Sequence, residues 1–487
     1  MRAITVSLAI LLAAPAAAQD WETVGGNSAR SGLSPWSGPR YGEVRWSMPT
    51  LPSTIGMQVY TWDTLCAVGR YTFSPNLITV ACHNLLTGDT AWTRNWSGAG
   101  KYLPFGARDG RLYVRNFKES RFDSLYCVSM STGDILWQVD SACGLGIVWS
   151  AAFTDEGDPV VAGGRYPLAR YDRLTGDTVW TCARPIPNSG AECVGVSDGF
   201  VYAWMGAGIN RPKYLIAIDA ATGVITDTTP ELPGDGDQEM PFSVGPGRVV
   251  YCQRDGGRFH AFRHTDTGFV ELWNADPFGA SPWMNYGIAP DSTLLVPRGR
   301  RLLRLDQHTG AVLDSSPELT AGDALAPRVA VDRHGWVYLA TGVNAGGGTW
   351  CLSPELDSAW FEPMTSSYYT GPAIGMHGIT VVSGPGTTIR AWQPALGIAG
   401  GEPGPARRLA PGCSPNPFRS GTLVRAARPG VVTVYDALGR EVRRLEAGPA
   451  GAWWDGRDAA GVALAAGAYI LRAGGEQVRV VIAGVAR

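Results

Sequence analysis

The octapeptide LLTGDTAW from Leu85 returns as MSTGDILW from Met130 and as RLTGDTVW from Arg173. Its Thr-Gly pair continues down the chain at Thr87-Gly88, Thr132-Gly133, Thr175-Gly176, Thr222-Gly223, Thr267-Gly268 and Thr309-Gly310, in steps of 45, 43, 47, 45 and 42 residues. A period in the low-to-mid forties restricts a chain to stacked or radially arranged copies of one supersecondary unit. Each pair follows a short alternating or apolar run, such as YLIAIDAATG or RLLRLDQHTG, and a second run stands earlier in the unit, as in GRLYV, GFVYAW, GRVVYC and GWVYLA. With no helical-period segment between them, these runs are strands joined by Gly-bearing turns, which specifies an all-β propeller of four-stranded blades.

The repeated letters have local reasons. Gly supplies the positive φ of the turn, and a neighbouring Asp or Thr caps it through a side-chain oxygen. Five residues past the first three threonines stand Trp92, Trp137 and Trp180, flat apolar side chains expected between neighbouring blades; the later equivalents are Asp227, Trp273 and Asp314. A residue repeated and then dropped is a packing element. With Trp46 and Trp360, the outer-strand positions fall near 46, 92, 137, 180, 227, 273, 314 and 360, which favours eight blades over seven. After Trp360 only three strand-like runs remain (YYTGPAIG, GITVVSG, TTIRAWQ), so the Trp46 strand is expected to complete their blade and close the ring from both termini.

The opening MRAITVSLAILLAAPAAAQD places Arg2 before an apolar run ending in small residues, the pattern of a secretory signal peptide (1–18) cut after Ala18. No later run is long and apolar enough for a membrane span, and no Cys follows the apolar run to carry a lipid. The expectation is a mature chain without a transmembrane segment, secreted or held at the outer cell surface. A net charge of −2 supplies no basic field, which argues against nucleic acid. Nine singly scattered cysteines lack the paired spacing of zinc or haem sites. Export makes some disulfides an expectation, although Cys82, Cys127 and Cys351 sit in apolar runs and read as small buried hydrophobes.

AIDAATG, RYDRLTG and RLDQHTG resemble the pyrroloquinoline-quinone-type propeller repeat, and WETVGGNSARSGLSPWSGP from Trp21 is similar to the segment that opens small secreted propellers of that class. The resemblance covers roughly 21–395 and implies architecture. In the family's dehydrogenases it also implies a quinone, a calcium held by carboxylates and Asn, and often two adjacent cysteines. This sequence has no Cys-Cys pair and no carboxylate that can be carried over by position, so no cofactor-binding, catalytic or metal residue is assigned.

The propeller is expected over 19–395, followed by a Pro/Gly/Ala-rich linker at 396–411 and a small β-sandwich at 412–487 with strands near 431–435, 441–445, 468–472 and 478–482. That last segment resembles the C-terminal Ig-like modules of bacterial surface proteins, including type IX secretion sorting domains and the Ig-like domain of hook-capping proteins. The residues carrying the resemblance are Pro415, Asn416, Pro417, Phe418, Gly439, Arg440, Trp454, Asp455, Gly456, Gly461, Gly467 and Tyr469. The resemblance implies a secretion or sorting machinery as partner.

Among other candidates, Asp235, Asp237 and Glu239 lack the strict spacing of a calcium loop, and Asp455 with Asp458 reads as a turn. His260 and His264, four apart in a strand context, do not form a helical zinc pair, and no nucleophile elbow or phosphate loop occurs. The sequence therefore points to a non-catalytic binding or scaffold propeller for a protein or glycan ligand. The alternatives are an exported quinone-dependent dehydrogenase with a reduced propeller and an outer-membrane assembly scaffold.

Overall fold

The computed structural model describes residues 20–49, 54–72, 77–98, 100–117, 123–143, 151–163, 166–185, 194–206, 212–234, 242–254, 257–276, 285–319, 328–341, 348–363, 371–384, 388–394, 412–414, 422–425, 430–447, 452–473 and 476–482. By its contacts the chain divides into Met1–Gly397 and Ile398–Arg487. The first unit is a propeller of eight four-stranded antiparallel blades among the described residues, numbered here in chain order: 54–94, 101–143, 152–182, 195–228, 242–275, 287–315, 328–363, and 373–392 joined by Val44–Pro49. Blades 1 and 2 also share one parallel bridge, Ile78 to Lys101. In blade 8, Val44–Pro49 pairs antiparallel with Thr388–Trp392, so the chain's early strand is the outermost strand of its last blade.

The Thr-Gly segment is the turn between the third and fourth strands. In blade 3 the carboxylate of Asp172 accepts the backbone N–H groups of Leu174 and Thr175, and the Thr175 hydroxyl caps the N–H of Asp177. The Gly176 N–H then closes onto the Asp172 carbonyl at 2.9 Å. Asp219 with Thr222 and Asp306 with Thr309 repeat this network, and Asn84 with Thr87 and Ser129 with Thr132 supply variants of it. Accepting these donors holds the carboxyls of Asp172, Asp219 and Asp306 below the usual range.

The Gly is also required by the next blade. A Cβ on Gly88, Gly133, Gly176, Gly223 or Gly310 would lie 2.6–2.8 Å from the indole of Trp46, Trp92, Trp137, Trp180 or Trp273 respectively, and φ at these glycines is 70–83°. Each of these indoles donates its Nε1–H, at 2.8–3.0 Å, to the carbonyl three residues before that Gly: Leu85, Met130, Arg173, Ala220 and Gln307. Trp360 uses the N-terminal segment instead, donating to the Pro39 carbonyl at 3.1 Å and packing over Gly42. The ring thus closes with its repeat geometry intact.

Two seams depart from the pattern. Thr267-Gly268 does not form the longer capped turn: Thr265 pairs directly with Gly268 in a two-residue hairpin, and Asp227, not an indole, faces that Gly. Between blades 6 and 7, Arg304 reaches the Pro354 carbonyl, and the turn residue with positive φ is Leu356. The expectation of disulfides also fails where it is tested, since Cys66, Cys82, Cys127, Cys182, Cys252 and Cys351 carry free, buried thiols. Cys82, Cys127 and Cys351 stand opposite Trp92, Trp137 and Trp360 in the strand register, where a small side chain leaves room for the indole.

The second unit contains a three-stranded sheet (Gly412–Ser414, Thr422–Arg425, Ala452–Trp454) and a four-stranded one (Gly430–Tyr435, Glu441–Ala447, Gly467–Ala473, Glu476–Ile482) around Val424, Val432, Val434, Leu445, Trp454, Tyr469, Leu471 and Val480. Trp454 meets Tyr469 edge-on, with ring centroids 5.7 Å apart, and donates to the Arg457 carbonyl. Gly439, Gly456 and Gly461 take positive φ in turns. Asp436 accepts the Arg440 N–H and guanidinium, Asp455 accepts the Arg457 N–H, and Asp458 accepts those of Ala460 and Val462. Gly467 begins its strand at φ 158°. Pro415, Asn416, Pro417 and Phe418 lie outside the described residues.

Gly176 and Gly199 have nearly equal φ (79° and 78°), but only Gly176 faces an indole, whereas Gly199 faces open space. Gly199→Ala is expected to cost about 1 kcal/mol for the left-handed backbone. Gly176→Ala adds about 1–3 kcal/mol of overpacking. Thermal melts of the two variants check the difference, and equal losses would contradict the indole contact.

Candidate functional site

The segment from Asp20 to Ser34 contains no long strand, yet it binds the first, innermost strand of all eight blades near that strand's C-terminal end. Trp21 donates to the Thr61 hydroxyl and accepts the Thr61 N–H in blade 1, and the Glu22 carbonyl accepts the Ala107 N–H in blade 2. The Ser28 hydroxyl caps Phe153 in blade 3, while the carbonyls of Ser28, Ala29, Ser31 and Gly32 accept from Val196, Val244, Ile288 and Val331 in blades 4 to 7. Ser34 donates through its N–H to the Val331 carbonyl and through its hydroxyl to the Ile374 carbonyl of blade 8. This strap circles the axis on one face of the ring, meeting the inner strands in order from blade 1 to blade 8.

The strap's letters follow from that path. Gly25, Gly26, Arg30 and Gly32 take positive φ, and a Cβ at Gly32 would lie 2.7 Å from the Val329 carbonyl. Trp21 packs over Gly26, and the Gly32 N–H returns to the Gly25 carbonyl. Arg30, only 1% exposed, donates to the carbonyls of Val24 and Val194. Beyond Ser34 the chain runs outward: Asp332 accepts the Gly38 N–H, Trp36 accepts from Arg333, and Pro39 receives Trp360. The sequence resemblance marked this segment as an opening motif, but its axial role had no local signal because its eight partners are spread over some 300 residues.

Near the axis, Arg328 of blade 7 reaches Gln58 of blade 1 at 2.9 Å. Burial first, and then the charge of Arg30, push its guanidinium down to about 10. At the strap's start, burial pushes the carboxyls of Asp20 and Glu22 up to about 7, although Asp63 donates to Asp20 and Arg108 lies 3.4 Å from Glu22.

His264, His260 and His83 have partners within the blades. His264 occupies the seam that lacks its Trp, joining Asp227 at 2.9 Å to the Tyr202 hydroxyl at 3.1 Å and stacking on Phe269. An acid–imidazole–hydroxyl chain has the outline of a proton relay, but Tyr202 is 0% exposed and burial pushes its phenol up, so no nucleophile is presented at neutral pH. His260 pairs with Glu271 at 2.8 Å. Burial and Arg70 push His83 down to about 4, keeping it neutral. Burial pushes the thiols of Cys82 and Cys127 up to about 12, which leaves them unreactive. Among the described residues no three His, Cys, Asp or Glu side chains converge as metal ligands, and no helix is long and apolar enough to cross a membrane. Asp235, Asp237 and Glu239 lie outside the described residues.

Residues 78–313 match the family model described as outer membrane protein assembly factor BamB, and residues 417–477 match that of the FlgD Ig-like domain. The propeller is thus similar to the PQQ-type repeat family over 78–313, and the second unit to the FlgD Ig-like domain over 417–477. Similar solved structures include the quinohemoprotein alcohol dehydrogenase ADHIIG of Pseudomonas putida HK5 (11% identity, 82% of this chain and 83% of that one, TM-score 0.58). The quinohemoprotein alcohol dehydrogenase of Comamonas testosteroni is another (14%, 82% and 83%, 0.55), as is BamB of Moraxella catarrhalis (14%, 71% and 99%, 0.51). At these identities the likeness establishes the fold, which is shared by quinoprotein dehydrogenases and BamB. No curated protein is similar to the chain in sequence.

Arg30→Ala removes the donor from two buried carbonyls and is expected to cost about 3 kcal/mol in urea unfolding. Asp227→Ala leaves the buried Nε2 of His264 without that acceptor and is expected to cost about 1–3 kcal/mol in the same measurement. A loss below about 0.5 kcal/mol in either variant would contradict the role given to that residue.

Proposed function

We propose that this protein is an exported, surface-displayed propeller that binds a protein or glycan partner without catalysis, on the face opposite the strap, and that its Ig-like module engages the sorting machinery. The observation that carries the reading is the asymmetry between the two faces. On the strap face, strands within a blade are joined by turns of two to six residues, whereas connections between blades, which leave from the other face, run from four residues (Pro49 to Thr54) to thirteen, with six or more in the other seven. Long connections gathered over a rigid ring are where propellers place variable recognition surfaces. On the strap side the ends of the inner strands are already bonded by the chain itself.

The axis under the strap does not suit a calcium ion. Arg30 and Arg328 bring two positive charges there, which oppose a divalent cation. The dehydrogenase reading therefore rests on fold alone, and the assembly-scaffold reading rests on the match of residues 78–313 to the BamB model.

Two measurements test the proposal. Incubation of the mature chain with pyrroloquinoline quinone, calcium and primary alcohols should leave a redox dye unreduced; turnover would replace the proposal with the dehydrogenase. A photo-crosslinking residue at Arg300, in the hairpin between the second and third strands of blade 6, should capture a partner on whole cells, whereas one at Leu174 on the strap face should not. Capture at Leu174 alone, or at neither position, would overturn the choice of face.

A further inference from the structure

We propose that the first turn of the strap, Asp20 to Glu22, is a proton-dependent clasp on blades 1 and 2, seated at acidic pH and loosened as the pH rises towards neutral. The backbone of this turn is tied to the ring by the bonds of Trp21 with Thr61 and of Glu22 with Ala107. Its two carboxyl side chains are carried into the same interface. The Glu22 side chain is 8% exposed, and the Asp20 oxygen lies 3.1 Å from the Asp63 N–H.

The groups facing these carboxyls are named by element. The turn of blade 1 contributes the charge of Asp63, and the first strand and turn of blade 2 contribute Arg108 and Asp109. The strap itself contributes the Ser28 hydroxyl, and Asp20 acts on Glu22. Two acidic neighbours, Asp20 and Asp109, thus oppose ionisation of Glu22 and Asp63 opposes that of Asp20, while Arg108, 3.4 Å from Glu22 and partly exposed, favours ionisation of Glu22. Seating the turn takes both carboxyls out of water among other negative charges, so the seated state binds protons that the released state gives up.

The sign follows directly. A carboxyl raised from the ordinary range to about 7 in the seated state stabilises seating below its free value, and loses that contribution as pH rises from about 4.5 to about 7. Above about 8 both states are ionised and the dependence flattens. Each linked proton changes the seating constant by up to about tenfold per pH unit inside that window. Release of this turn would leave Arg30, Gly32 and Ser34 bound to the later blades, so the movement is confined to the end of the strap over blades 1 and 2.

The test is amide hydrogen exchange by mass spectrometry on the full mature chain from pH 5 to pH 9, corrected for the intrinsic rise of exchange with pH. Protection of the Thr61 and Ala107 amides should fall at least about tenfold between pH 5 and pH 8 and then level off, while Val249–Gln253 of blade 5 stays constant. Asp20→Asn combined with Glu22→Gln should abolish the fall. Arg108→Gln, which keeps both carboxyls and removes the cation that lowers Glu22, should extend the fall to higher pH. A flat profile in the natural chain, a slope that survives the double substitution, or a parallel loss in blade 5 would each overturn the clasp.

Discussion

Every Trp seam of this ring depends on an indole from one blade lying over a turn of the next that has no side chain. The contact is demanding on both sides. The indole fills the gap only if the turn residue is Gly at positive φ, and its Nε1–H is satisfied only if a carbonyl stands three residues earlier. Where the indole is absent the demand relaxes: opposite Asp314 the turn tolerates Leu356 in the left-handed region, and Arg304 reaches its carbonyl instead. Gly and Trp are therefore one unit shared between blades.

The strap adds a second kind of tie. Wedges at the outer strands join each blade to its neighbour, while the strap joins all eight at the axis through backbone groups that would otherwise end the inner strands unpaired. Arg30 anchors it from within, and Asp332 directs the chain from the axis to the rim. The same stretch of sequence then becomes the outer strand of blade 8, so axial and peripheral closure are covalently linked.

What the sequence made legible was what its neighbours determine. The Asp-x-x-Thr-Gly turn is encoded within five residues, and the blade period, the terminal closure and the Ig-like module all follow from counting or matching such local units. The strap and the His264 seam were not legible for the opposite reason. Ser28 and Ala29 meet Phe153, Val196 and Val244, and His264 meets Asp227 across 37 residues, with no spacing rule connecting them. Thr267-Gly268 shows the converse limit, because the repeat's letters persist there while the turn they usually form is replaced by a tighter hairpin once the facing indole is gone. The free thiols belong with these cases. Export suggested pairing, but Cys82, Cys127 and Cys351 are set by the room an indole needs.

Pairing Trp46 with Ala391 also imposes an order in time. The earliest strand of the ring to leave the ribosome is the last to find its neighbour, and at roughly 5–20 residues per second the wait is on the order of tens of seconds. Throughout that interval blades 1 to 7 stand as an open arc, with the Leu85 carbonyl awaiting its indole and a bare edge at each end. The entropy of joining such distant segments grows only slowly with their separation, so the burden falls on the period of exposure and not on the stability of the finished molecule. A ring fastened by its own beginning is vulnerable as a nascent chain in a way that its closed form does not reveal.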